Sequence, residues 1–137
     1  MEPTHARMDP LGLIVRHLDA VVDHAVIAGA DAALNPLDGP VTVVQVTRNV
    51  PVDPWGTRRW AFNVSVTLIT YAETITSAVT THAEAADATL ALTRLDSGTV
   101  RVSTVRATQE PEDVPVRSAT DWPGQLSSYT FTLRRED

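Results

Sequence analysis

The sequence predicts an α+β fold: a four-stranded, mainly antiparallel sheet with two helices packed on one face, in the order α-β-β-α-β-β. Three observations predict it. Apolar side chains recur at helical spacing in two stretches, from Leu11 to Ala25 and from Ile75 to Leu90. The run "RRWAFNVSVTL" alternates strictly: Trp60, Phe62, Val64, Val66 and Leu68 point one way, Arg59, Ala61, Asn63, Ser65 and Thr67 the other. Two more strand-like runs, "TVRVSTVRAT" and "LSSYTFTLRR", follow the second helical stretch. Helices with one apolar stripe each, and a sheet with one apolar face, bury those surfaces most economically with both helices on the same side.

Each element has its own warrant. Residues 1–8 carry no pattern and are expected to be flexible. Asp9 is suited to the N-cap and Pro10 to the first helical position, where a missing N–H costs nothing. Leu11, Ile14, Val15, Leu18, Val21, Val22 and Ala25 then form a stripe, with Arg16, Asp19 and Asp23 opposite and Gly29 as the stop. The turn-formers in "GADAALNPLDGP" (29–40) read as loop.

"VTVVQVTRNV" (41–50) is β-branched and reads as a strand. "PVDPWG" (51–56) is read as the loop of a hairpin, because two prolines cannot donate to a ladder. The return strand, Arg58–Tyr71, would span about 46 Å at about 3.3 Å per residue, where strands usually run to about 5–6 residues. Its Leu68 end must pack under helices, so its Arg58–Trp60 end is expected to project as an arm. From Ala72 the period becomes helical, with Ile75, Ala78, Val79, His82, Ala86 and Leu90 on one stripe and Asp96-Ser97-Gly98 at the end. A strand is expected over 99–108, a long loop over 109–125, and a last strand over 126–135 with Tyr129, Phe131 and Leu133 inward.

Bulk properties narrow the function. A chain of 137 residues is about one domain, here taken as 1–137. No apolar run approaches the roughly 18 residues of a membrane span, and the N-terminus shows no secretory h-region. With no cysteine, disulfides, zinc–thiolate sites and thiol nucleophiles are excluded. Net charge is -6 and every basic side chain is an arginine. An acidic chain with scattered arginines grips nucleic-acid phosphates poorly, yet can lie beside DNA without sticking.

The usual signatures of catalysis do not occur. There is no G-x-S-x-G, no glycine-rich phosphate loop and no H-E-x-x-H. His17 and His24 stand seven apart on the first helical stretch, too far for one metal, and read as boundary residues. His82 sits mid-stripe and reads as a core histidine with its hydrogen bonds satisfied. Glu110, Glu112 and Asp113 fall in the long loop, where nothing drives their pKa values apart. The sequon Asn63-Val64-Ser65 has no meaning without a secretory signal. No catalytic, cofactor-binding or metal-binding residue is expected, and the chain does not read as an enzyme. Trp55 and Trp122 lie in proline-containing loops; they either mark partner contacts or are buried by their own loops. The candidate contact residues are Val52, Asp53, Trp55, Arg58 and Arg59 in the hairpin, Asn63 and Ser65 on the polar face, and Glu112, Asp113 and Trp122 in the long loop.

The whole order resembles a known family. A leading amphipathic helix, a Pro-rich loop, a hairpin with a long second strand, a helix "AEAADATLAL" (83–92), a loop with "EPEDVPV" and a closing "SSYTFTLRR" look like the tail terminator proteins of long-tailed bacteriophages, also called tail completion or head-to-tail joining proteins. The resemblance covers about residues 10–135 and rests on element order rather than an invariant motif. It implies a structural virion protein that assembles as a ring, commonly a hexamer, on the last ring of tail tube protein. It also implies partners: itself, the tail tube protein, the head-tail connector, and DNA that passes through without sequence-specific binding. Its place would be the head-proximal end of the tail, after synthesis in the host cytoplasm, with no cofactor. Other small phage neck or minor tail proteins share such a layout. A small α+β ligand-binding or interaction domain is the alternative of a different class.

Overall fold

The computed structural model describes residues 10–28, 39–52, 61–94, 100–114 and 122–135. Helix α1 spans Pro10–Val21, β1 Ala25–Ala28, β2 Val41–Pro51 and β3 Ala61–Tyr71. Helix α2 spans Ile75–Leu90 and runs into a 3-10 turn at Ala91–Arg94; β4 (Val100–Val102), β5 (Arg106–Val114) and β6 (Gly124–Arg135) complete the chain. The expected Asp9 cap, the flexible 1–8 end and the Gly29 stop lie outside the described residues, as does Arg58–Trp60 of the projecting arm.

The fold is α+β, but among the described residues the sheet has six strands rather than four, in the order β1-β2-β3-β6-β4, with β5 also paired to β6. The β2–β3 and β3–β6 pairs are antiparallel. The unforeseen β1 pairs with β2 in parallel, Ala25 opposite Val41 through Ala28 opposite Val44. Its four residues, "AVIA", continue the apolar stripe of α1, so periodicity alone reads them as the end of the helix. A parallel connection needs about a dozen residues or more, and residues 29–40 provide them.

The expected third strand is two. β4 lies opposite the last turn-away of β6, Leu133–Arg135, and β5 lies opposite Gly124–Thr130, so both occupy the same side of β6 end to end. Residues expected to be loop, 109–114, belong to β5. Glu, Pro and Asp disfavour strands, yet this is an edge, where Pro111 has no ladder partner to disappoint. Register shifts after Ala107 and after Gln109 take up the surplus residues.

Both helices pack on one face. Ile14, Leu18 and Val22 from the first segment share a single core with Ala85, Ala86 and Ala88 of α2 and with Val44, Val64, Val66, Leu68, Tyr129, Phe131 and Leu133 of the sheet. The inward stripe of α2 is rotated from the expected one. Ala78, His82, Ala85, Ala86, Ala88 and Thr89 are buried, while Ile75, Val79 and Leu90 are 61%, 46% and 41% exposed. Small side chains let the helix axis come close to the sheet, and the bulkier apolar groups are left on its flank. Val21 of α1 is likewise exposed. Thr74 caps α2, its Oγ1 accepting from the Ser77 N–H at 3.1 Å.

Candidate functional site

Beneath α2, polar side chains interrupt the apolar face of the sheet and join into one chain. His24 Nε2 meets Thr42 Oγ1 at 2.7 Å, Thr42 meets Thr70 Oγ1 at 2.8 Å, and Thr70 meets His82 Nδ1 at 2.8 Å. His82 Nε2 meets Ser127 Oγ at 2.7 Å, and Ser127 meets the Tyr129 hydroxyl at 2.7 Å. The chain crosses β2, β3, α2 and β6. Register explains it: Thr42 is opposite Thr70, and Leu68 opposite Ser127, so each hydroxyl points to the same side.

Proton bookkeeping favours one direction along this chain. If Tyr129 donates to Ser127, Ser127 donates to His82 Nε2, His82 Nδ1–H donates to Thr70, Thr70 donates to Thr42 and Thr42 donates to His24 Nε2, every hydroxyl proton has an acceptor. His24 then carries its proton on Nδ1, a buried atom without a hydrogen-bond partner that faces Glu84 Oε1 at 3.8 Å. The reverse direction would turn an acceptor nitrogen toward that carboxylate and leave the Tyr129 proton without a partner. Burial pushes the His82 imidazole down to about 4, helped by repulsion from His24. Burial also lowers His24, against the opposing pull of Glu84 and Asp23, and raises the Tyr129 phenol.

Ser127 and His82 have the spacing of a nucleophile and its base. Ser127 is 0% and His82 1% exposed, however, and Ser127 is committed to Tyr129. Their role is to lock α2 onto the sheet. Another tie joins the helices, where His17 Nε2 donates to the Ala88 carbonyl at 2.9 Å. Among the described residues no three His, Cys, Asp or Glu side chains are grouped to hold a metal ion.

The opposite face of the sheet is open and uncharged at its centre. Thr67 and Ser128 pair at 2.9 Å, Ser65 and Thr130 at 3.5 Å, and Thr132 Oγ1 donates to Asn63 Oδ1 at 3.2 Å. These cross-strand pairs follow the β3–β6 register rung by rung. At one end of the ladder Gly124 lies against the Tyr71 ring, where an added Cβ would come within 2.9 Å of Cε1. At the other end is a pocket of about 420 Å³, with Ala61 and Val52 on one side and Arg101, Ser103, Thr132 and Arg134 on the other. Arg101 and Arg134 face each other across β4 and β6. Ser103 holds the pocket wall, its N–H donating to the Thr132 carbonyl at 2.9 Å and its Oγ accepting from the Thr132 N–H at 2.7 Å.

The expected contact residues divide accordingly. Val52 is exposed at the pocket, and Asn63 and Ser65 lie on the hydroxyl ladder. Glu112 and Asp113 are on strand β5 rather than in a loop, each held by an amide: Gln109 donates to Glu112 and Gln125 to Asp113. Trp122 is half-buried just before β6. Asp53, Trp55, Arg58 and Arg59 fall outside the described residues. The arginine pocket was not foreseen. The alternation of "TVRVS" and "TLRR" puts Arg101 and Ser103 on one face and Arg134 outward, but bringing the strands together requires a register that no single strand encodes. Thr42, Thr70 and Ser127 did carry a signal: each is a polar residue at an inward position.

No family model matches the chain, and no curated protein matches it. Among solved structures, a chain from the virion of a native gene transfer agent particle is similar at 20% identity and a TM-score of 0.46, covering 98% of this chain and 90% of that one. A likeness at that level is one of outline, and function has to be argued from the residues. No helix among the described residues is long and apolar enough to cross a membrane.

Proposed function

We propose that this chain is a structural subunit of a phage-like virion, a tail terminator that assembles as a ring, hexameric by family resemblance. The ring caps the tail tube and offers the surface to which the head connector joins. The carrying observation is the β2–β3 hairpin. Val41–Val44 of β2 are buried and paired with β1, whereas Thr47, Arg48, Asn49, Pro51 and Val52 are exposed, so among the described residues the strand is an open sheet edge past Val44. An open strand edge, with a bulge between Val46 and Arg48, suits contact between neighbouring subunits. The neutral hydroxyl ladder suits a face covered by protein, because hydroxyl groups can exchange water for a partner's backbone without burying a charge.

The net charge of -6 agrees with the same role. Repeated around a ring, it keeps the phosphate backbone of passing DNA from adhering. The test is to produce particles without this chain and examine them by electron microscopy. Overlong tails, or tails detached from heads, are expected. Tails of normal length joined to filled heads would refute the reading.

A further inference from the structure

Among the described residues the sheet has two open edges, and they are complementary. β1 pairs with β2 only from Val41 to Val44, so residues 45–51 of β2 have a strand on one side alone. β5 has β6 on one side and no described strand on the other, and every residue from 106 to 113 is exposed. Such edges are templates for pairing with another chain. Arg48 is the one charged side chain of the first edge, and among the described residues no carboxylate pairs with it. The second edge carries Glu110, Glu112 and Asp113 against Arg106. Arg48 is opposite Ser65, on the open face of the sheet. Glu112 is opposite Leu126, which alternates with the buried Gln125 and Ser127 and so lies on that same face. β2, β3, β6 and β5 alternate in direction, so copies standing the same way up meet with β2 antiparallel to β5.

We infer that residues 45–51 of β2 pair edge to edge with β5 of a second copy of this chain, with Arg48 directly opposite Glu112. Charge sets the register. Arg48 lies on the rung that runs through Ser65 and Thr130 to Arg106, so copies joined without offset would set Arg48 against Arg106, a like-charge pair that destabilises a sheet. Glu112 lies at Leu126, four residues earlier on β6 than Thr130. Four residues over the four strands β2, β3, β6 and β5 is one residue per strand, an offset of the same size as the stagger that closes an eight-stranded barrel of shear 8. Gln109 already orients the Glu112 carboxylate, its Nε2 donating to Oε1 at 2.8 Å. Pro51 and Pro111 lack an N–H and keep the shared ladder short. One edge of each kind per copy gives a head-to-tail contact, the kind that closes into rings. The inference deepens the assembly reading and rests on it for the identity of the partner as a second copy.

The chain has no cysteine, so introduced cysteines report the contact directly. The test oxidises the full-length variant Arg48→Cys with Glu112→Cys and resolves it by non-reducing electrophoresis. Directly opposed residues of an antiparallel pair have Cα atoms about 4.5–5.5 Å apart, within the reach of about 4.4–6.8 Å that a disulfide allows. Inside one chain the same two positions are three strand spacings apart, at least about 14 Å. A ladder of covalently linked copies is therefore expected. Arg48→Cys with Arg106→Cys, which reports the register without offset, should link at least about tenfold less. Arg48→Glu or Glu112→Arg alone should weaken association in sedimentation, and the two together in one chain should restore it, because each reversed edge then meets a reversed partner. All these positions are exposed, so the variants are expected to fold. Linkage through position 106 instead of 112 would overturn the register. Oligomers that form without either linkage and ignore charge reversal would overturn the contact while leaving the ring reading standing. Linkage confined to a closed dimer would uphold the pairing and count against the ring. A chain that stays monomeric and unlinked overturns the contact, and the ring reading is then decided by tail morphology.

Discussion

Consider a pH titration of stability with and without His82. The imidazole is 1% exposed, with both nitrogens hydrogen-bonded, and its pKa is held at about 4 against 6.5 in the unfolded chain. Above about pH 6.5 both states are neutral and the contribution is complete. As the pH falls from about 6.5 to about 4, the unfolded chain takes up a proton that the folded chain refuses, so stability drops. A shift of this size corresponds to about 3 kcal/mol, from about 1.4 kcal/mol per pH unit, a large part of the roughly 5–15 kcal/mol that stabilises a typical domain. The comparison is His82→Gln, which keeps a donor and an acceptor but does not titrate. Urea unfolding at intervals across this range should show wild type losing about 3 kcal/mol relative to the variant. A pH-independent difference would refute the reasoning, as would an NMR titration that places the His82 midpoint near 6.5.

Two further substitutions test local packing. Gly124→Ala should destabilise by about 1 kcal/mol, the lower part of the overpacking range, because the new methyl group meets the half-buried Tyr71 ring. Combined with Tyr71→Ala the penalty should largely vanish, and thermal melts of the four proteins in the cycle measure that coupling. Thr74→Ala removes the acceptor for the Ser77 N–H and should cost about 1 kcal/mol in chemical denaturation; Thr74→Asp should retain most of it.

Much of the architecture is written in alternation and helical period. The β2–β3 hairpin, the last strand and both helices are legible because each has one wet and one dry face. β1 is not, since "AVIA" extends a helical stripe and becomes a strand only by pairing with β2. β5 is not, since "QEPED" lacks strand propensity and is held by its register on β6 and by tolerance at an edge. The rotation of α2 is illegible for a related reason: choosing between Val79 and Ala85 as the inward residue depends on how near the sheet lies. Half of the candidate site was readable. Asn63 and Ser65 stand on the predicted polar face, and His82 on the predicted inward one. The pocket was not, because Arg101 and Arg134 lie 33 positions apart and meet only through the β4–β6 pairing.

That pairing shows why β6 governs the molecule. Its inward residues Ser127, Tyr129, Phe131 and Leu133 complete the core and the histidine chain. Its outward residues Ser128, Thr130, Thr132 and Arg134 complete the hydroxyl ladder and the pocket. Side chains alternate with period two, so a one-residue slip of β6 against β3 would exchange the two sets. Arg134 would be driven toward the core, Tyr129 and Phe131 would be left on the open face, and His82 would lose Ser127. The buried chain from Tyr129 to His24 thus acts at a distance on the outer surface: by fixing the register beneath the helices, it fixes which side chains the opposite face presents.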